Sequence, residues 1–137
     1  MAVVKELLRA EESGSISFGD YTLASKSKLE DFKHGGDLLK VKTFAEITRL
    51  EKNGMVLYES VPGTSVTDFT ETAEGISFTV EGPEDAQITL GLAEDKEYSV
   101  KVNGEDAGTM RTNLGGKLAM SVELSGAGEV KVEVRQL

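Results

Sequence analysis

The sequence predicts an all-β, antiparallel β-sandwich, jelly-roll-like or made of two small packed β units, with roughly ten to twelve short strands. Three observations carry that reading. Apolar and polar residues alternate with period two in at least six segments. Glycine is abundant, 15 of 137 residues, and falls between those segments. The only prolines, Pro62 and Pro83, lie in predicted turns. Period-two patterning means one buried face and one wet face, and Gly-rich punctuation supplies the turns between strands.

The elements follow in order. Residues 3–9, with Val3, Val4, Leu7 and Leu8, suit either a helix or a strand. The β context favours a strand. Leu7 and Leu8 then point to opposite faces, and a strand apolar on both faces is easily placed between subunits. Ile16 to Leu23 reads as a hairpin with Gly19-Asp20 at its tip, and Lys33-His34-Gly35-Gly36-Asp37 reads as a turn. Ile47 to Ser60 reads as a hairpin closed by Asn53-Gly54, in a register that sets Leu50 opposite Leu57 and Arg49 opposite Tyr58. A helix competes over residues 43–53. Thr43 with Glu46 spells a capping box, Phe44, Ile47 and Leu50 recur every three residues, and Gly54 would follow its end. Asn-Gly between β-formers favours the hairpin.

The second half is plainer. Ile76, Phe78 and Val80 alternate with polar residues, as do Ile88, Leu90 and Leu92. Tyr98 to Val102 leads into Asn103-Gly104, a tight-turn pair. Leu118 to Leu124 and Val130 to Arg135 alternate throughout. Val100, Val102, Met120, Val122, Val132 and Val134 are the expected core. The chain is expected to be a single domain over residues 1–137. A seam near residues 82–84 would divide 1–82 from 83–137, and the shorter part is too small to stand without sharing a core.

Composition excludes several function classes. Fifteen Lys and Arg stand against 24 Asp and Glu, a net charge of −9. Nucleic acids and anionic membranes gain affinity from clustered cations, so neither is an expected partner. With no cysteine, a disulfide scaffold, a Cys-ligated metal and a thiol nucleophile fall away. No stretch approaches the ~18 apolar residues of a membrane span. The expected compartment is the cytoplasm, or the extracellular space if a leader has been removed.

No cofactor or metal is expected. The glycines spell no nucleotide fingerprint. His34 is the only histidine and sits in a turn. The carboxylate pairs Glu11-Glu12, Glu84-Asp85, Glu94-Asp95 and Glu105-Asp106 lie beside turns, and neighbouring strand residues point to opposite faces, whereas a glycosidase needs its two carboxyls across one cleft. Most of the eight aromatics are expected in the core, Phe18, Phe69, Phe78 and Tyr98 among them, and Tyr21 and Tyr58 are the candidates for a ligand.

Two resemblances bear on function. The run Tyr98-x-Val100-x-Val102-Asn103-Gly104, Gly108, Thr112-Asn113, Gly115-Gly116, Leu118 and Val122-x-Leu124 resembles the small β-sandwich modules at the ends of polysaccharide-active enzymes. Lys40-Val41-Lys42-Thr43, Thr48 to Gly54, Tyr58 to Gly63 and Thr112 to Leu118 resemble a group of short bacterial proteins often labelled endosialidase. That resemblance implies acidic sugars. A sialic acid carboxylate is normally clamped by several arginines. The chain has Arg9, Arg49, Arg111 and Arg135, and Arg49 with Tyr58 and Glu51 or Glu59 is the best ligand-binding cluster. The same residues would equally make a cross-strand charge pair on a hairpin face.

The leading expectation is therefore a non-enzymatic structural or interaction module that self-associates as a homo-oligomer. The alternative is a carbohydrate-binding or glycosidase-accessory module. Hydrolysis of sialosides is not expected.

Overall fold

Strong alternation and tight turns produce a fold made of strands. The computed structural model describes residues 3–137, and no helix occurs among them. Thirteen strands form two sheets, and every pairing is antiparallel. The seven-stranded sheet holds β1 (Leu8–Ala10), β2 (Ile16–Phe18), β7 (Ser65–Thr72), β8 (Gly75–Glu81), β13 (Val130–Gln136), β10 (Glu97–Val102) and β11 (Glu105–Arg111), in that spatial order. The six-stranded sheet runs β12 (Lys117–Val122), β9 (Ala86–Gly91), β6 (Met55–Val61), β5 (Ile47–Lys52), β4 (Asp37–Phe44) and β3 (Ser27–His34).

The turns explain much of this topology. Asn53-Gly54 and Asn103-Gly104 close two hairpins with positive φ at both residues, the conformation that matches strand twist. Gly35-Gly36 closes β3–β4 in the same way, with His34 opposite Asp37. Ala45-Glu46 joins β4 to β5, so Thr43 and Glu46 cap no helix. Strands on either side of Pro83 pair directly, β6 with β9 and β8 with β13, and one apolar cluster runs through both.

The core lies between the sheets. Val100, Met120, Val122, Val132 and Val134 are buried, and Val102 is half-buried beside them. Phe18, Tyr58, Phe69 and Phe78 interlock at its centre, with ring centroids 5.3 to 6.2 Å apart and mostly edge-to-face.

Three expectations are corrected. Residues 3–9 are neither helix nor long strand. Lys5 to Leu7 make a turn, Leu7 N–H donates to Val4 O at 2.9 Å, and Leu7 has φ 73°. The strand that remains is three residues long, and Leu8 packs into the chain's own core. Ile16 to Leu23 is not a hairpin. Ile16, Ser17 and Phe18 are all buried, and at Gly19 the chain leaves the first sheet for the second. Gly19 has φ 97°, and a Cβ there would stand 2.5 Å from Thr64 O, so the crossing needs glycine. Asp20 N–H then donates to Thr43 Oγ1 at 2.9 Å.

The third correction concerns the Ile47–Ser60 hairpin. Its existence and its turn are as expected, but its register is not. Glu51 pairs with Val56, yet Leu50 pairs with Tyr58 and Arg49 with Glu59. β6 carries one extra residue at this bulge, so Leu57 and Tyr58 both turn inward.

Candidate functional site

The bulge divides the four residues singled out from the sequence. Tyr58 is fully buried. Its hydroxyl lies 2.8 Å from Thr64 Oγ1, which also meets Ser60 Oγ at 2.8 Å. Thr48 Oγ1 donates to Thr64 O at 2.8 Å and lies 2.8 Å from Thr43 Oγ1. Burial pushes the Tyr58 phenol well above its ordinary pKa, partly offset by the Thr64 and Ser60 hydroxyls. Tyr58 is thus a structural anchor, closed to ligands.

Arg49, Glu51 and Glu59 share the outer face of the six-stranded sheet. Arg49 Nε donates to Glu59 Oε2 at 2.7 Å across β5–β6. Glu51 stands opposite Lys40 in the β4–β5 register, and Lys40 Nζ also lies 3.6 Å from Glu30 Oε1. That row alternates in charge, as stable sheets do.

The next row does not. Lys28 on β3 is directly opposite Lys42 on β4, and Lys42 is directly opposite Arg49 on β5. The row continues through Glu59 and Thr89 to Ala119. Three cations thus stand side by side over about 10 Å, given strand spacings near 4.8 Å. Like charges facing each other across strands are destabilising. Among the described residues, the acidic groups in ion-pair reach on this face go to Lys40 and Arg49, leaving Lys28 and Lys42 without one. Lys42 is held below its ordinary pKa, first by burial, then by Arg49, Lys26, Lys28 and Lys40. A chain of net charge −9 has gathered five cations on one patch.

An apolar shelf adjoins this row. Phe44 follows Lys40 and Lys42 in the outward parity of β4, and it pairs with Ile47, the outward neighbour of Arg49 on β5. Both are half-buried, and Val61 beyond them is exposed. An anionic group on the cations could therefore lay an apolar edge against Phe44 and Ile47. The sequence held this signal in Lys40-x-Lys42-x-Phe44 and Ile47-x-Arg49. It goes unread in the single segments because the alignment of Lys42 with Arg49 and Lys28 depends on the register between strands.

The other residues considered are engaged elsewhere. The four arginines lie on β1, β5, β11 and β13, in both sheets, and do not converge. Arg9 pairs with Glu11, whose carboxyl is held below its usual range by the hydroxyl of Ser17 and by Arg9. Arg111 pairs with Asp95 and Glu97. Asp85 Oδ1 accepts from Leu124 N–H and Ser125 N–H, and Asp106 Oδ1 accepts from Gly108 N–H, so these carboxylates serve turns. His34 Nε2 lies 3.1 Å from Gly14 O. A groove of about 390 Å³ crosses the outer face of the seven-stranded sheet, where Lys101 faces Glu133 in register. Among the described residues, no group of three or more His, Asp or Glu could hold a metal ion. No protein-family model, curated protein or solved structure matches the chain.

Proposed function

We propose that the protein is a carbohydrate-binding module whose six-stranded sheet takes a carboxylate-bearing glycan on its outer face. The single observation that carries this reading is the like-charged row Lys28–Lys42–Arg49, which costs stability when empty and gains a counter-ion when an anion is bound. The Phe44–Ile47 shelf gives the C–H face of a sugar ring an apolar support beside that anchor. Arg49 keeps further guanidinium N–H donors for a carboxylate while its Nε holds Glu59. The acidic remainder of the chain disfavours a long polyphosphate backbone, and the row is short, so a nucleic acid fits it less well. The endosialidase-like stretches Lys40–Thr43 and Thr48–Gly54 supply this same face.

Calorimetric titration tests the reading with uronic-acid and sialic-acid oligosaccharides, a neutral oligosaccharide of equal length and a single-stranded oligonucleotide. The expected result is binding of the acidic sugars alone, weakened at least tenfold in a Lys28→Ala, Lys42→Ala double variant. Equal binding of the neutral sugar, preference for the oligonucleotide, or no binding of acidic sugars would overturn it.

A further inference from the structure

The two sheets have four edges, and three of them are blunted. β1 is only three residues long. β3 is interrupted by a register shift between Leu29 and Phe32, has Asp31 at φ 56°, and carries Lys28, Glu30, Asp31 and Lys33. β11 has a register shift against β10, has Gly108 at φ 100°, and begins with Glu105-Asp106. Short, charged or bulged edges are how proteins prevent strand addition.

β12 has none of these protections. Its six residues pair with β9 in one uninterrupted register, and Lys117 is its lone charge. The parity of its backbone follows from its ends. Lys117 N–H donates to Asn113 Oδ1 at 2.9 Å and Lys117 O accepts from Asn113 N–H at 3.0 Å, so Lys117 turns its backbone away from β9. Gly116 O accepts from Leu92 N–H, so Gly116 faces the β9 side. Alternation then directs Leu118, Met120 and Val122 to β9, and leaves the N–H and C=O of Ala119 and Ser121 pointing outward. The side chains there are small and uncharged.

We propose that β12 is a self-association edge, where a second copy of this chain adds antiparallel about a two-fold axis at Met120. That register sets Ala119 opposite the partner's Ser121 and Ser121 opposite the partner's Ala119. Four backbone hydrogen bonds form, and all four outward groups are used. Shifting the register toward Lys117 opposes Ala119 to itself and halves that count, because Asn113 seals the edge at Lys117. Asn113 occupies the position beside Lys117, so the pairing is confined to residues 118–122 of each copy. The six-stranded sheets of the two copies become one continuous sheet.

Sedimentation velocity and amide exchange test this on the intact chain. The expected particle has about twice the 14.7 kDa chain mass, and the amides of Ala119 and Ser121 exchange slowly in it. Ala119→Pro removes an outward N–H without taking a bond from β9, and should give a folded monomer. Ser121→Pro removes the other outward N–H and should do the same. A monomer at all concentrations, or a dimer in which both amides exchange freely, would overturn the proposal. If Ala119→Pro fails to fold, exchange in the unaltered chain decides.

Discussion

The two faces of the β5–β6 hairpin share one backbone and do opposite work. On the inner face Thr48, Leu50, Tyr58 and Ser60 are buried, and their hydroxyls close a network around Thr64. On the outer face Arg49, Glu51 and Glu59 stay half-exposed, and Arg49 continues a row of cations. The inner face satisfies every partner it has and has no spare capacity for a ligand. The outer face keeps an electrostatic cost that folding alone would remove. Stability and recognition are thus separated by the alternation of a strand, and one bulge at Leu57 decides which side Tyr58 serves.

The largest effect should come from breaking the inner face. Tyr58→Ala removes a fully buried ring and leaves Thr64 short of a partner, so it should cost about 3–5 kcal/mol, read as a lower denaturant midpoint at unchanged slope. Tyr58→Phe keeps the ring and loses only the hydroxyl, while Ser60 still meets Thr64, so about 1 kcal/mol is expected. Were Tyr58 a ligand contact, these two variants would change binding more than stability.

The outer face should respond with small changes of the opposite sign. Lys42→Gln relieves the like-charge row and should stabilise the ligand-free protein by a few tenths of a kcal/mol, while weakening binding of an acidic glycan. The pH dependence follows the same logic. Lys42 has a folded-state pKa below its unfolded value, so its protonated form is penalised in the native state across neutral pH. That penalty is lost as pH rises through the depressed pKa toward the unfolded value of 10.5, so stability gains in that window. In Lys42→Gln the gain should be absent. Glu59→Gln should likewise change stability by no more than about 0.5 kcal/mol, because its pair with Arg49 is partly exposed.

The fold was legible wherever a strand has one wet face. Val130 to Arg135, Tyr98 to Val102 and Leu118 to Val122 announce themselves by alternation, and Asn103-Gly104 marks the turn after Val102. It was misread where the chain leaves a strand covered on both sides, so that Ile16–Phe18 was given a return arm it lacks, and where a bulge breaks parity, as at Leu57 and around Asp31. Of the site, Arg49, Glu51 and Glu59 were found as residues on one hairpin face. Lys28, Lys42 and Phe44 were missed, because their alignment depends on a three-strand register that period-two reading of single segments does not contain.

The most direct measurement is a chemical-shift titration of ¹⁵N-labelled protein with a carboxylated oligosaccharide. The predicted result is a set of perturbed amides centred on Lys28, Lys42, Phe44, Ile47 and Arg49, fading as salt is raised. Perturbations centred on Lys101, Lys131 and Arg135 of the opposite sheet, or shifts shared equally with a neutral oligosaccharide, would contradict it.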